Sequence, residues 1–219
     1  MTWVKENWRW AVLNIAATTI VGTLLWQAYK IDPANERFAY DRLLVASGKW
    51  AIRFLLLSLA MTPLNTIFGW RSAIKLRKPA GLWAFEFGAM HFLMNVASLR
   101  ENWLRYPIPD YYAALGVIGL TILTLMALTS SKWAMKHMRR WWKRLHRLVY
   151  ITGIVVLVHA LLEAPSKRVF PHAQQIVAEL TLYLIVLIVL LAVRIPVVRV
   201  GVSSLRHRLA MQRSLPASE

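Results

Sequence analysis

Cysteine is absent from this chain of 219 residues. Disulfide bonds, iron–sulfur clusters, thiolate zinc sites and the C-x-x-C-H motif for covalent haem attachment all require cysteine, so the sequence excludes each of them. Any metal ion or haem group that the chain holds must therefore be ligated by histidine, and the chain has 6 histidines.

Acidic residues are scarce: Asp and Glu number 10, against 27 Lys and Arg, and the net charge is +17. A surplus of this sign is also found in proteins that bind nucleic acid. Here, however, the basic residues flank apolar segments and do not form one face of a soluble fold. We therefore predict that they meet anionic lipid headgroups and fix the membrane topology, and we expect no nucleic-acid partner.

Long apolar segments are abundant: hydrophobic residues make up 58% of the chain, and the mean hydropathy is +0.45. A helix of about 20 apolar residues crosses the hydrocarbon layer of a bilayer. We predict an all-α integral membrane protein, a six-helix transmembrane bundle that forms a single domain. The predicted spans are about 10–29, 50–70, 79–99, 111–131, 145–163 and 176–193, followed by a basic cytoplasmic tail over 194–219.

The Lys and Arg residues are unevenly divided between the two sides of this predicted bundle. The N-terminus, the second and fourth connections and the tail together hold 18 of the 27, and the other three connections hold 9. Because the side richer in Lys and Arg is cytoplasmic, both termini are predicted to be cytoplasmic. We expect the first span to remain attached as an anchor, because no convincing cleavage site follows it.

Four local features of the sequence give further expectations. Pro63 should kink the second span, and Pro79 should begin the third, since proline suits a first helical turn. Ser130 or Ser131 should cap a short basic segment that precedes the fifth span. No internal repeat is evident.

His91 and His159 are the leading candidate ligands. Spans three and five run in the same direction in the predicted topology, so these two histidines lie at similar depth and can face each other. Neutral imidazole is a strong axial ligand of haem iron, and two helices that each supply one can hold a porphyrin between them. Gly88, one turn before His91, would make room for a macrocycle or simply let two helices pack closely. The alternative role for both histidines is hydrogen bonding between helices.

His146 lies thirteen residues before His159, which is roughly 20 Å along a helix and on a different face. It is predicted at the cytoplasmic end of span five. A second haem there would need an unusual or missing sixth ligand, because the residue thirteen positions before His91 is Lys78. A flavin, a quinone headgroup or a plain interfacial histidine are the alternatives. We expect the remaining histidines to be solvated: His137, His172 and His207.

Charged residues within or beside the spans are the other candidates. Glu86 lies inside the predicted third span, where a carboxylate is costly and needs a partner, a proton-handling role or a neutral hydrogen-bonded form. Cations at the predicted outer ends could neutralise haem propionates or reach lipid headgroups, and these are Lys49, Arg53 and Arg100. Cations at the inner end could meet inner propionates or a flavin phosphate, and these are Arg71, Arg77 and Lys78.

Three segments of the chain resemble a known family. They are Gly48 to Leu64, the run LRKPAGLWAFEFGAMHF (Leu76 to Phe92), and LTSSKWAMKH followed by WWKRLHRLVY and His159. Together they resemble the MsrQ family, the haem-binding membrane subunits of bacterial periplasmic protein-methionine-sulfoxide reductase systems. That family belongs to the ferric-reductase-like transmembrane group. The LHRLVY run with a histidine thirteen residues after its own is the most specific part of the resemblance.

The resemblance implies a b-type cytochrome of the bacterial inner membrane, with haem b ligated by His91 and His159 and with His146 as the third histidine of the pattern. It implies electron transfer from the quinone pool or a reduced flavin to a molybdopterin-containing periplasmic subunit that repairs oxidised proteins. FMN is implied as a second cofactor, although no motif for it is evident.

We therefore expect an electron-transfer subunit of an oxidoreductase complex, because the sequence contains no glycine fingerprint for a nicotinamide cofactor and electrons must be delivered to it. A self-sufficient ferric reductase and a non-redox membrane scaffold are the two alternatives.

Overall fold

The computed structural model describes residues 2–30, 36–99, 111–163 and 173–196, together with residues 198, 200, 201 and 204. Within these residues all regular secondary structure is α-helical, as predicted. In chain order the helices are α1 (Thr2–Tyr29), α2 (Glu36–Phe68), α3 (Ala73–Leu99), α4 (Tyr111–Leu128), α5 (Lys132–Met138), α6 (Arg140–Arg147), α7 (Val149–Glu163) and α8 (Ala173–Ala192).

Five segments of the described residues are long and apolar enough to cross a membrane. They are Asn7–Tyr29, Tyr40–Phe68, Tyr111–Leu128, Arg140–Glu163 and Gln174–Ala192. These segments correspond to five of the six predicted spans. The predicted third span lies in α3, whose apolar part is interrupted by Glu86, His91 and Asn95. The part of the chain that the structure describes is thus all-helical, with five candidate membrane spans.

Three helices begin earlier than their apolar sequence predicts. The first begins at Thr2, ahead of the span predicted from about residue 10. The second begins at Glu36, inside the segment predicted to be a polar connection, and continues through Pro63. The prediction that Pro79 begins the third helix is wrong, because α3 begins at Ala73 and includes Pro79. Lys, Arg and Glu have good helix propensity, so polar turns extend these helices beyond their apolar parts.

Two short basic helices connect α4 to α7. Ser131 caps α5 by accepting a hydrogen bond of 3.0 Å from the backbone N–H of Ala134, which confirms the predicted cap. Arg139, with φ 46°, separates α5 from α6. The predicted fifth span is therefore divided between α6 and α7. Tryptophans on this connection are exposed beside Lys and Arg, as is typical of a membrane interface, and these are Trp133 and Trp141.

The core forms where α2, α3, α7 and α8 meet. Each of these helices supplies one of the largest fully buried apolar side chains, namely Leu59, Phe87, Leu157 and Leu187. Phe54 of α2 stacks on Phe87 of α3 with ring centroids 5.3 Å apart. Helix α3 packs mainly on α2, and α7 packs mainly on α4 and then α8. These pairings fix the positions of the two leading histidines.

Candidate functional site

His91 of α3 and His159 of α7 face each other inside the helical bundle. Their ring centroids are 6.3 Å apart, and the ring planes are inclined at 79°. Both residues are half-buried. The structure thus brings together the two histidines that the predicted topology put at similar depth.

The His91 ring is oriented by helix α2. Its Nδ1 lies 2.9 Å from the carbonyl oxygen of Leu44 and 3.5 Å from the hydroxyl of Ser47. A carbonyl oxygen only accepts hydrogen bonds, so Nδ1 carries the proton and donates it. In the neutral ring the lone pair is then on Nε2, which is the nitrogen that a metal ion would bind.

The His159 ring is oriented in the same way by helix α4. Its Nδ1 donates to the carbonyl oxygen of Tyr112 at 2.7 Å. The neutral imidazole of His159 therefore also has its lone pair on Nε2. The two histidines share one tautomer. Metal-ligating histidines adopt it when a backbone carbonyl accepts a hydrogen bond from the ring nitrogen that does not bind the metal.

The separation of the two rings fits a shared metal ion. A bond from a metal ion to an imidazole nitrogen is about 2 Å long, so two rings that bind one ion from opposite sides have centres about 6 Å apart. The observed separation is 6.3 Å. Among the described residues no group of three or more His, Asp and Glu could hold a metal ion. Two imidazoles suit an iron ion whose other ligands come from a macrocycle, so the residues fit a bis-histidine haem.

Gly88 lies against α4 rather than beside the histidine pair. A Cβ atom added there would meet Leu120 Cδ1 at 3.6 Å, an ordinary van der Waals distance. Glu86, on the same helix, is exposed and points away from the bundle core. Neither residue contributes to the geometry around His91 in the structure.

His146 stands apart from the histidine pair, at the other end of α4. Its Nε2 lies 3.2 Å from the hydroxyl of Thr129, the residue that follows α4. Tyr112, which contacts His159, lies in the first turn of α4, roughly 25 Å from Thr129 by helical rise. The Thr129 hydroxyl donates its hydrogen to the carbonyl oxygen of Leu125 at 2.7 Å. In the contact between Thr129 and His146, the hydroxyl oxygen therefore accepts and Nε2 of His146 donates. The tautomer of His146 is thus opposite to that of the pair.

Two neighbours further define the environment of His146. Its ring stacks on Trp142 with centroids 4.1 Å apart, and the indole N–H of Trp142 donates to the Thr129 carbonyl at 2.9 Å. The charge of Arg77, in the first turns of α3, acts electrostatically on the His146 ring. His146 and Arg77, predicted separately from the sequence, therefore lie in one region.

Arg53 and Lys49 contact α8. The guanidinium of Arg53 pairs with Glu179 at 2.6 Å and donates to the hydroxyl of Tyr183 at 2.6 Å, and Lys49 also pairs with Glu179. One carboxylate thus joins two cations, and the cluster keeps one net positive charge. Glu179 is absent from the candidates that the sequence predicts, although an acidic residue inside an apolar span indicates a buried partner. Arg100 lies outside the described residues.

Arg194 packs into the bundle, although the sequence assigns it to the basic tail. It donates to the hydroxyl of Tyr150 at 2.6 Å and to the carbonyl of Leu59, and its buried Nε has no hydrogen-bond partner. Burial, the largest influence, lowers the pKa of Arg194 from its ordinary value, and the charge of Arg77 acts in the same direction. Arg77 and Arg194 therefore make this end of the bundle strongly positive.

The other candidates do not join either region. His137 is exposed, and its Nδ1 donates to the carbonyl of Trp133 at 2.8 Å, as expected for a solvated residue. Arg71 and Lys78 are exposed. His172 and His207 lie outside the described residues.

Comparison with known proteins agrees with this geometry. The family model described as ferric reductase like transmembrane component matches residues 47–158, which is just over half of the chain. The chain belongs to this family. The matched range begins in the turn of α2 that contacts His91 and ends immediately before His159. As a member of the ferric-reductase-like family with five apolar helices among its described residues, the protein is a multi-pass protein of the bacterial inner membrane.

Curated relatives of this ferric-reductase-like chain come from several bacteria. One from Bordetella pertussis is 31% identical over 122 residues, which is 52% of this chain and 57% of the relative. Others from Brucella ovis and Brucella suis are 34% identical over 127 residues, which is 54% of this chain and 56% of each relative. All three are named protein-methionine-sulfoxide reductase heme-binding subunit MsrQ. The matched part thus spans a little over half the length of these relatives, and no solved structure matches the chain.

Proposed function

We propose that the chain is a b-type haem subunit that carries electrons across the bacterial inner membrane to a protein-methionine-sulfoxide reductase. The observation that carries this proposal is the facing pair of imidazole rings, 6.3 Å apart and held in one tautomer by helix carbonyls. The names of the relatives support it, since each is called the heme-binding subunit of such a reductase.

His91 and His159 are proposed to hold haem b through their Nε2 atoms. A bound haem would supply one-electron oxidation and reduction. The chain contributes the orientation of the ligands: the carbonyls of Leu44 and Tyr112 accept the Nδ1 protons, which fixes both rings and makes both imidazoles stronger ligands. We further propose that Arg53, in a cluster with one net positive charge, neutralises a propionate.

The finer topology is also a proposal. Helix α3 has 27 residues and is about 40 Å long, which is enough to cross the bilayer as a sixth span. With six spans both termini lie on one side, and the excess of Lys and Arg argues that this side is cytoplasmic. In that topology the histidine pair lies toward the periplasm and His146 lies at the cytoplasmic surface.

This arrangement suits an outward flow of electrons. We propose that the acceptor is a molybdopterin-containing catalytic subunit in the periplasm, which forms a heterodimer with this chain. The donor is proposed to be the quinone pool, or FMN reduced by a flavin reductase, at the positive end formed by Arg77 and Arg194. His146 and its stacked Trp142 would contact the donor there, and a second haem at His146 is the alternative.

A reconstituted electron-transfer assay tests the function. The haem-loaded chain is purified, reduced with limiting dithionite and mixed with the catalytic subunit of a periplasmic protein-methionine-sulfoxide reductase and an oxidised peptide. With the catalytic subunit in much smaller amount than the haem, we expect a b-type spectrum and complete reoxidation only when both the catalytic subunit and the sulfoxide are present. Complete reoxidation without the sulfoxide, or a purified chain with no b-type absorption, would contradict the proposal.

Ferric reduction is the second candidate function, and the description of the family favours it. The same reduced chain is mixed with a soluble ferric chelate in place of the reductase. Reoxidation by the chelate that is faster than reoxidation by the reductase with its sulfoxide would favour this second function.

His146→Ala is expected to slow reduction of the chain by its cytoplasmic donor and to leave the haem content per chain unchanged. A lost donor contact worth about 1.4 kcal/mol would weaken donor binding about tenfold. The measurements are stopped-flow reduction and quantification of pyridine haemochrome. His137→Ala, an exposed histidine on the neighbouring α5, is the matched control and should behave as wild type. Loss of half the haem in His146→Ala would instead assign a second haem to this histidine.

A further inference from the structure

His91 and His159 have the same two kinds of neighbour, a backbone carbonyl and a glycine, at the same positions in the sequence relative to each histidine. The carbonyl that orients each ring belongs to the residue 47 positions earlier, which is Leu44 for the first ring and Tyr112 for the second. Each ring also lies against a glycine one helical turn after that carbonyl, namely Gly48 and Gly116. The pair α2–α3 and the pair α4–α7 therefore present a histidine in the same way.

The glycines stand where a side chain would obstruct this contact. In an α-helix the carbonyl of residue i points toward residue i+4, and its oxygen has a second lone pair beside the helical hydrogen bond. A side chain at i+4 covers this lone pair, as the hydrogen bonds of Ser and Thr to that carbonyl demonstrate. Glycine at i+4 places no Cβ atom beside this lone pair, so the Nδ1–H of a histidine on the next helix can approach it. At Leu44 the hydroxyl of Ser47 also donates to the same oxygen, at 2.8 Å, so His91 shares this acceptor.

A side chain at either glycine would be closer to the histidine ring than an ordinary contact. A Cβ atom at Gly48 would lie 3.0 Å from His91 Nδ1, and one at Gly116 would lie 3.0 Å from His159 Cε1. Ordinary contacts between such atoms are about 3.5–4.0 Å. Alanine at either position would therefore push the ring away from its carbonyl or rotate it.

We propose that Gly48 and Gly116 are positioning residues. Each lets one histidine ring contact the carbonyl of the residue four positions before the glycine, and this contact fixes the plane of the ring. Helices α2–α3 and α4–α7 are then two copies of one ligand-presenting unit. Together, the two contacts hold the ring planes at 79° to each other. This inference rests on the proposed haem ligation by the two histidines.

Electron paramagnetic resonance reports the angle between the ring planes. In low-spin ferric haem, two axial imidazoles with nearly perpendicular planes give a signal dominated by one large g value, whereas nearly parallel planes give three resolved g values. The purified, haem-loaded wild-type chain is expected to give the large-g signal. Gly48→Ala and Gly116→Ala are each expected to shift this signal toward three resolved values and to lower the haem content.

Two other glycines are matched controls. A Cβ at Gly119, one turn after Gly116 on the same face of α4, would meet Val156 Cγ2 at 2.7 Å and touch no histidine. Gly119→Ala therefore disturbs the packing of α4 on α7 without acting directly on the ligand, and it should lower thermal stability and leave the g values unchanged. Gly88→Ala, on α3, should change neither the thermal stability nor the g values.

The outcomes separate this inference from the proposed function. A wild-type chain without low-spin haem absorption would contradict the function itself. A wild-type low-spin haem with three resolved g values would contradict the proposed orientation of the two rings, even if neither alanine variant folds. Unchanged g values in a folded Gly48→Ala or Gly116→Ala, or an equal shift in Gly119→Ala, would overturn the role of the glycines alone.

Discussion

His159→Ala is expected to remove the b-type absorption from the purified chain, and His91→Ala is expected to do the same. Each substitution deletes one of two facing imidazoles whose rings are 6.3 Å apart, and among the described residues no other histidine joins this pair. Loss of a residue that merely orients a metal ligand typically costs 10–100-fold in affinity, so loss of the ligand itself should lower affinity for haem by at least about tenfold. The measurement is the Soret band and the pyridine haemochrome content per chain.

The control for this experiment is His137→Ala. His137 is exposed on α5 and donates to the carbonyl of Trp133 within its own helix, so its removal should leave the absorption intact. Helical circular dichroism of all variants separates loss of the ligand from loss of the fold. An unchanged Soret band in folded His159→Ala would move the ligand to another residue and would remove the main support for a haem subunit.

The apolar lengths of the sequence predict most of the fold. Uncharged runs predict α4 and α8 almost at their observed bounds, and they predict the end of α1, because a bilayer requires an unbroken apolar helix of fixed length. The apolar length carries no information on helical turns outside the hydrocarbon layer. Helices α1, α2 and α3 therefore begin at Thr2, Glu36 and Ala73, earlier than their apolar runs predict.

The histidine pair follows from depth alone, but its orientation does not. The predicted topology and the residue count place His91 and His159 at similar depth, where they can face each other. The residues that orient them act through backbone carbonyls, which any amino acid supplies, so Leu44 and Tyr112 carry no signal in the sequence. A faint signal was available in the glycines, since Gly48 and Gly116 precede their histidines by the same interval. A repeat of so few positions does not stand out by sequence similarity.

Contacts between charged residues far apart in the sequence also cannot be predicted from the apolar pattern. The position of Arg53 near one end of a span was evident from the sequence, but its partner on α8 depends on how the helices pack. Arg194 was assigned to the tail because it follows the last apolar run, whereas its hydrogen bonds to Tyr150 and Leu59 tie it to the bundle. In both cases a long cationic side chain reaches back to an element that the apolar pattern cannot identify.

Glu179→Gln is expected to destabilise the bundle by about 2 kcal/mol, which is less than the 3–5 kcal/mol for breaking a fully buried ion pair. The side chains of Lys49, Arg53 and Glu179 are 22%, 36% and 25% exposed, so solvent and headgroups screen part of the effect. The substitution leaves two cations side by side without a carboxylate. The measurement is the free energy of unfolding from a denaturant titration in detergent, with Glu86→Gln, an exposed carboxylate on α3, as the control that should not be destabilised.

The same substitution should also weaken the positioning of the histidine pair. The cluster holds α2 against α8, and α2 supplies the carbonyl and the glycine that contact His91. We therefore expect Glu179→Gln to release haem at a lower temperature than wild type. Removing Lys49 as well relieves the repulsion, so Lys49→Gln combined with Glu179→Gln should cost less than the two single changes added together. Strict additivity, or an unaltered release temperature in Glu179→Gln, would mean that this cluster does not support the site.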